Sequence, residues 1–250
     1  MDIYKQFLNS KKRGEKRLAI LIDPDDTDLH NLEKLIQISI ESNVDYFFVG
    51  GSIIHNNQMD KVMQMLNMQD QVPLVIFPGT PDQVHTDADA LLLLSLISGR
   101  NPDLLISKHV ESANQIKESQ LEIIPTGYIL IDGGIKTAVS YASNTQAIPR
   151  KEEKIAKATA IAGELLGLKT IYLEAGSGAK IPVPKSLIAE VRKSIDVPLM
   201  VGGGIKSSDM ASSILEAGAD IIVVGNAVEK NPELITDLSL TVHSFKEVFK

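Results

Sequence analysis

The chain has 250 residues, and its 25 Lys and Arg against 32 Asp and Glu give a formal net charge of −7, which argues against a nucleic-acid binder that uses a basic face. Hydrophobic residues make up 44% of the chain, a composition typical of globular proteins with a large buried core. Cysteine is absent from the sequence, so disulfides, thiolate nucleophiles and cysteine-ligated metal centres are excluded.

The sequence predicts neither a secretion signal nor a membrane span. Residues 1–17 are basic, but no apolar stretch of the length found in signal peptides follows them. The longest apolar run, Ala90–Leu94, is far shorter than the roughly 20 residues that cross a bilayer. We therefore expect a cytoplasmic protein without a transmembrane segment.

Eight short runs rich in β-branched residues or leucine recur along the chain between helical patterns. The runs are nearly continuous in apolar residues rather than alternating, which indicates parallel strands buried on both faces. They are Leu18–Ile22, Tyr46–Val49, Leu74–Phe77, Ala90–Leu94, Gly127–Ile131, Thr170–Leu173, Leu199–Val201 and Ile221–Val224. This order predicts an α/β fold, with one (β/α)8 TIM-type barrel domain that spans residues 1–250.

Helical stretches lie between several of these strands, and the last of them ends at Gly218, a residue type suited to a helix C-cap. The predicted helices are Asn31–Ser42, Lys151–Leu166, Lys185–Ser194 and Asp209–Ala217. The third unit departs from this pattern, because Pro78–Asp89 leaves little room for a helix after the third strand. We expect a modified or missing third helix, which is either an ordinary shortened connection or the opening of a functional groove.

The segment Asp132–Pro149 follows the fifth strand and is rich in Gly, Ser, Thr and Asn. The loops that follow the strands of such a barrel build its catalytic face. We expect this segment to lie at that face, where it could act as a lid.

Glycines follow the seventh and eighth strands, at Gly202-Gly203-Gly204 and at Gly225-Asn226. Barrels of this architecture commonly bind phosphate there, through backbone N–H groups and a helix N-terminus. The alternative is that these glycines only relieve crowding in tight strand-to-helix turns. Because two neighbouring strands carry the pattern, we favour a phosphate site.

Carboxylates follow the sixth and the first strands. Glu174 can face the barrel mouth as a general base, although a lone glutamate on a strand is also often ion-paired or solvated. Asp23 opens an acidic cluster with Asp25 and Asp26, and such oxygen ligands suit Mg²⁺. Helix capping by Asp25, Asp26 or Asp28 is the alternative for the cluster, and it would still leave Asp23 free. Ser52, after the second strand, could add a hydroxyl to the same site.

Basic residues lie just past strands four and five. Arg100 and Lys136 could meet the negative charge of a second substrate, and solvation at the surface is the equal alternative for both.

The combined motifs resemble those of the geranylgeranylglyceryl phosphate synthase family of prenyltransferases. The motifs are Leu21-Ile-Asp-Pro-Asp25, Val49-Gly-Gly-Ser52, Tyr172-Leu-Glu174, Gly202-Gly-Gly-Ile-Lys206 and Val224-Gly-Asn-Ala-Val228. Their order and spacing match from Leu18 to Glu229. The resemblance implies an enzyme that joins sn-glycerol 1-phosphate to a prenyl diphosphate through an ether bond, with an apolar groove for the prenyl tail at the third connection.

The resemblance also implies the roles of individual residues. It assigns Mg²⁺ to Asp23 and Ser52, and it assigns glycerol phosphate to Tyr172, Leu173, Glu174, Ala175, Gly176, Ser177, Gly178, Gly203, Gly204, Gly225 and Asn226. Within this reaction, Glu174 is the candidate for orienting the glycerol hydroxyl and accepting its proton, and Arg100 and Lys136 stay candidates for contact with the prenyl diphosphate. Leu21 stands where members with longer donors have lysine, so a geranylgeranyl donor is implied. The stretch 132–134 departs from the Asn-Pro-Asp of other members.

Two other functions fit parts of the pattern. A phosphosugar isomerase or synthase on the same barrel would share the glycines after strands seven and eight. A non-catalytic glycerol phosphate sensor would bind without turnover, because a fold does not determine a function. We further expect a homo-oligomer, since the outer helices of such barrels often pack together.

Overall fold

The computed structural model describes residues 2–51, 58–80, 83–135 and 143–245. Their strands form a closed parallel barrel in chain order, in which β1 pairs with β8. The strands are β1 Arg17–Ile22, β2 Tyr46–Val49, β3 Leu74–Ile76, β4 Ala90–Leu96, β5 Glu122–Leu130, β6 Thr170–Glu174, β7 Leu199–Gly202 and β8 Ile221–Val224. The predicted barrel and its eight strands are confirmed, and only β5 begins well before its predicted start at Gly127.

The helices surround the barrel and close one end of it. They are α1 Ile3–Arg13, α2 Leu29–Glu41, α3 Met59–Leu66, α4 Ser107–Ser119, α5 Glu153–Leu165, α6 Lys185–Arg192, α7 Ser208–Glu216, α8 Asn226–Lys230 and α9 Leu234–Ser244, with a 3₁₀ turn at Pro102–Leu104. The four predicted helices correspond to α2, α5, α6 and α7. The sequence reasoning did not identify α1, which precedes the first strand.

Side chains of the strands alternate between two cores on opposite faces of the sheet. Leu18, Ile20 and Ile22 of β1 pack outward against the helices, whereas Ala19 packs inside the barrel. This two-residue period follows from the pleat of a strand. Asp23 continues the inward series of Ala19, so the strand itself directs its side chain toward the barrel mouth.

Helix α1 closes the N-terminal end of the barrel. Its Phe7 is 1% exposed and packs edge to face on Tyr46 of β2, with ring centroids 5.1 Å apart. The Asp2 side chain caps the helix by accepting from Lys5 N at 2.9 Å. Glu122 of β5 accepts from Tyr4 N at 3.0 Å, so a carboxylate holds the first turn, where backbone N–H groups lack helical partners.

The third unit lacks a helix within residues 77–80 and 83–89, as the sequence predicts. Gln83 is 3% exposed and ties this connection to the β2 end, because its Nε2 donates to Gly51 O at 3.0 Å. Its Oε1 accepts from Gly79 N at 2.9 Å. The buried amide of Gln83 thus supplies hydrogen-bond partners for backbone groups of a connection that no helix covers. Neighbouring Leu93 and Leu94 of β4 are only partly buried.

The predicted lid segment begins and ends against the barrel. Asp132 N donates to Ile148 O at 2.9 Å, and Ile148 N donates to Leu130 O at 2.8 Å, so the segment returns to the end of β5. Residues 136–142 lie outside the described residues, and the lid role stays a prediction. Among the helices of the described residues, none is long and apolar enough to cross a membrane.

Candidate active site

The C-terminal ends of the strands surround a cavity with an empty volume of about 790 Å³, which includes space open to solvent. Asp23 after β1, Glu174 of β6, and loop residues after β2, β6, β7 and β8 line it. The aromatic rings of Phe77, Tyr128 and Tyr172 form its floor inside the barrel. Most of the predicted site residues therefore converge on one cavity, at the barrel end where the sequence predicts catalysis.

Glu174 is a buried acid at the floor of this cavity. Glu174 is 5% exposed, and this burial raises the pKa of its carboxyl to about 7. Two contacts act in the opposite direction by favouring the charged form: the nearby Tyr172 hydroxyl, and the Gly176 N–H, which donates to the carboxylate. A carboxyl with a pKa near neutrality is suited to accept a proton under physiological conditions. The geometry therefore supports a general base at this position.

The Tyr172 hydroxyl is buried beside Glu174 and aligns with no hydrogen-bond partner within the described residues. The ring is held by Tyr128, which stacks on it at 5.3 Å between centroids, and by Phe77 at 5.4 Å. Buried hydroxyls normally have a partner, since an unpaired one costs about 1–3 kcal/mol. The nearby Glu174 carboxylate is its electrostatic partner, and a polar ligand in the cavity could add a well-aligned hydrogen bond.

The β7 loop approaches the β6 loop so closely that a side chain would not fit between them. Gly203 has φ +81°, and a Cβ on it would lie 2.3 Å from Glu174 Oε1 and 2.7 Å from Gly176 N. Gly204, Gly176 and Gly178 also have positive φ. On the far side, Ser177 Oγ donates to Asn226 Oδ1 at 2.9 Å. The three glycine loops thus form one continuous backbone surface.

Two residues of the predicted ligand stretch face away from the cavity. Leu173 and Ala175 are fully buried in the outer core against the helices. They alternate with Tyr172 and Glu174, which face inward, as the strand period requires. Contact of Leu173 or Ala175 with a ligand would therefore be made through the backbone.

Asp23 lies at the opposite wall of the cavity. Burial raises its pKa to about 6, and the charges of Asp26 and Asp25 add to this effect, whereas donation from Asp25 N at 3.1 Å opposes it. Gly51 packs against the carboxylate, and a Cβ on Gly51 would lie 2.2 Å from Asp23 Oδ2. Ser52 follows Gly51 directly but lies outside the described residues.

This donor set fits Mg²⁺. The ion typically binds one or two carboxylates and keeps other positions for water and substrate oxygens. No group of three or more His, Cys, Asp or Glu in the described part of the chain could hold a metal ion, so an ion here would depend on water and substrate oxygens in addition to Asp23. Asp23 lies at an open wall of the cavity and contacts Gly51, and the hydroxyl residue Ser52 follows Gly51 in the sequence. This arrangement would leave coordination positions open for water and substrate oxygens.

The sequence pattern of the PcrB family matches residues 11–243. The chain belongs to the PcrB family. It is 48% identical over 248 residues to the geranylgeranylglyceryl phosphate synthase of Chitinophaga pinensis, and the match covers 99% of this chain and 98% of that protein. It is 40% identical to the protein of the same name from Thermococcus gammatolerans over 226 residues, which cover 90% and 89%. The family resemblance read from the motifs is confirmed.

A solved structure of the same kind supports the fold assignment. The crystal structure of (S)-3-O-geranylgeranylglyceryl phosphate synthase from Thermoplasma acidophilum, in complex with sn-glycerol-1-phosphate, matches this PcrB-family chain with a TM-score of 0.92 and 27% identity. The match covers 98% of this chain and 100% of that structure.

Of the two predicted diphosphate residues of this PcrB-family chain, Arg100 is the one that the structure describes, and it does not reach the cavity. Arg100 is exposed, with Nη1 donating to Ser98 O at 3.3 Å, and it is not among the lining residues. Lys136 lies outside the described residues. Lys206 does line the cavity, and it is exposed at the end of the β7 glycine motif.

One acid of this PcrB-family site was missed by the sequence reasoning. Glu229 of α8 lines the cavity next to Asp23. Burial raises its pKa to about 7, the charges of Asp23 and Asp26 raise it further, and donation from Asp23 N and Thr27 Oγ1 opposes them. No motif marks this residue. Its position one helical turn after Asn226 could have identified it.

Proposed function

We propose that this PcrB-family chain is a geranylgeranylglyceryl phosphate synthase, which forms an ether bond between sn-glycerol 1-phosphate and geranylgeranyl diphosphate and releases diphosphate. The observation that carries the proposal is the buried Glu174, whose pKa is raised to about 7 at the base of a cavity bounded by three glycine loops. The names of the similar proteins, and the glycerol phosphate in the similar solved structure, support the same function.

The glycine loops bind the phosphate of sn-glycerol 1-phosphate in this proposal. Gly203, Gly204 and Gly225 line the cavity, and Asn226 and Ser177 provide polar side chains beside them. Backbone N–H groups at such turns hold anions without a cationic side chain. The glycerol is then oriented over Glu174 and the Tyr172 hydroxyl.

Glu174 accepts the proton of the attacking glycerol hydroxyl. The hydroxyl oxygen forms a bond to C1 of the prenyl chain, while the bond from C1 to the diphosphate oxygen breaks and its electron pair leaves with the diphosphate. A carboxylate that is already desolvated gains basicity and needs little solvent reorganisation. Holding both reactants in one cavity supplies much of the remaining rate enhancement.

Asp23 and Ser52 would hold Mg²⁺ at the opposite wall. When bound, the ion neutralises negative charge on the diphosphate leaving group. Asp23 is half-buried at this wall, and burial is the main cause of its raised pKa. Lys206 adds a positive charge at the cavity rim.

The prenyl tail lies in the gap left by the missing third helix. Leu93 of β4 and Val84 of the connection are partly buried apolar residues on the outer face of the sheet at this gap. Contact of a long hydrocarbon with such residues contributes roughly 25 cal/mol per Å² of apolar surface removed from water. With Leu21 at the cavity wall, we propose geranylgeranyl diphosphate as the donor.

The proposed enzyme works in the cytoplasm as a homo-oligomer. The absence of cysteine fits a reducing compartment. Leu165 and Leu166 at the end of α5 are 82% and 78% exposed, and apolar side chains exposed in pairs are consistent with association of copies. Light scattering coupled to size-exclusion chromatography measures the number of subunits.

The direct test is incubation with Mg²⁺, either enantiomer of glycerol phosphate, and prenyl diphosphates of C15, C20 and longer chains. Mass spectrometry of the lipid products should show one ether-linked product, formed from the sn-1 enantiomer and the C20 donor. The Glu174→Gln protein, assayed beside it, should bind glycerol phosphate within a few fold of the native affinity and turn over roughly 10²-fold more slowly.

Binding of glycerol phosphate without product from any donor would overturn the proposal in favour of a sensor. Isomerisation of a phosphosugar, with no requirement for Mg²⁺, would favour the other barrel chemistry. A product with a longer donor would keep the reaction and overturn only the chain length.

A further inference from the structure

Helix α8 contacts both walls of the cavity, although it has only five residues. Asn226, its first residue, accepts from Ser177 Oγ on the wall with the glycine loops. Glu229, one turn later, accepts from Asp23 N at 3.4 Å and from Thr27 Oγ1 at 3.5 Å on the acidic wall. Asn226 and Glu229 lie on one helical turn, which therefore links the two walls.

Hydrogen bonds within the Asp23 turn also shape it. Thr27 N, Thr27 Oγ1 and Asp26 N donate to Asp23 O, and Asp25 N donates to the Asp23 carboxylate. These bonds do not connect the turn to α8. Glu229 supplies that connection through Asp23 N and Thr27 Oγ1.

We propose that Glu229 is a positioning residue, which holds the turn that carries Asp23 at the distance from the phosphate wall that a cation and a diphosphate require. The inference rests on the proposed function. Glu229 acts through Asp23, and its effect is on cation binding rather than on glycerol phosphate binding. Its two acceptor bonds are long, so each variant should shift affinity moderately and leave the fold intact.

The test is titration with Mn²⁺, followed by electron paramagnetic resonance, on native protein and on Glu229→Ala and Glu229→Gln proteins. Calorimetric titration with sn-glycerol 1-phosphate gives the matched control. We expect Glu229→Ala to weaken Mn²⁺ binding about 5- to 10-fold, the scale of one or two net hydrogen bonds. We expect Glu229→Gln, which keeps an acceptor oxygen, to lie closer to native, and both proteins to bind glycerol phosphate within about 2-fold.

Thr27→Val removes the hydroxyl that donates to Glu229 at 3.5 Å and to Asp23 O at 2.7 Å, and because both bonds hold the Asp23 turn, it should weaken Mn²⁺ binding in the same direction. The inference is overturned if Glu229→Ala binds Mn²⁺ like the native protein, or loses glycerol phosphate affinity equally. Equal losses in the Ala and Gln proteins would also overturn it, because the charge and not the position would then matter. Failure of the proposed function would be seen separately, because the native protein would then form no ether product. If the native protein binds no Mn²⁺, this inference is overturned as well.

Discussion

Substitution of Gly203 by alanine tests whether the close contact of the β6 and β7 loops builds the site. The new Cβ would lie 2.3 Å from Glu174 Oε1, 2.7 Å from Gly176 N and 2.9 Å from Ala175 N. Two of these neighbours are backbone atoms that cannot rotate away, so the loop or the glutamate must move. Position 203 also has φ +81°, which alanine adopts only at a cost.

Gly167 provides a matched control far from the catalytic residues, in the turn between α5 and β6. Its φ is +87°, and a Cβ there would meet nothing within 4 Å. Gly167→Ala should therefore cost only the backbone penalty of about 1–2 kcal/mol in the free energy of unfolding. Gly203→Ala adds overpacking of about 1–3 kcal/mol, so we expect a total loss of about 2–5 kcal/mol in urea denaturation.

The functional difference should be larger than the difference in stability. A displacement of Glu174 by about 1 Å would lower turnover by about 10²-fold, and the altered loop should weaken glycerol phosphate binding at least about 10-fold, measured by calorimetry. Gly167→Ala should leave both quantities native. The reasoning is refuted if the two alanine proteins show the same turnover and the same affinity.

Further substitutions separate protonation from packing. In native enzyme, kcat/KM for glycerol phosphate should rise with pH through about 7, because Glu174 must lose its proton; Glu174→Gln should lack this limb. The raised pKa also means that stability falls as pH rises from about 4.5 through about 7, so Glu174→Gln should unfold at a higher temperature than native protein above pH 7. Tyr172→Phe removes a group that favours the carboxylate, and it should move the limb to higher pH. Asp220→Asn removes a charge that Lys16 and Arg192 share at 3.8 and 2.8 Å; unfolding should become easier by about 3 kcal/mol, with unchanged kinetics.

The barrel was predictable because its strands are nearly all apolar and recur in a fixed order. The errors arise where local composition conceals an element. β5 begins at Glu122, but Pro125 interrupts its apolar run and proline is unusual inside a sheet. Helix α1 was missed because its lysines dominate the segment, and its few apolar residues, such as Phe7, find partners only inside the closed barrel.

The site was predictable where chemistry follows a strand directly. Asp23 and Glu174 follow the alternation of side chains along their strands, so their positions in the sequence place them on the face that points into the barrel. Glu229 lies on a helix, where no comparable parity applies. It meets Asp23 only because β8 pairs with β1, with Leu18 opposite Ile222, and that closure is a property of the complete barrel.

The same aromatic column that packs the interior of the barrel also keeps Glu174 away from water. Phe48 contacts Phe77 at 6.3 Å between centroids, and Phe77 and Tyr128 pack on Tyr172 directly below the carboxylate. These rings exclude water from under Glu174, and exclusion of water is the largest cause of its raised pKa. A smaller side chain in the column would admit water and lower that pKa. Core packing and basicity at this site are therefore coupled, and variation in the column changes both.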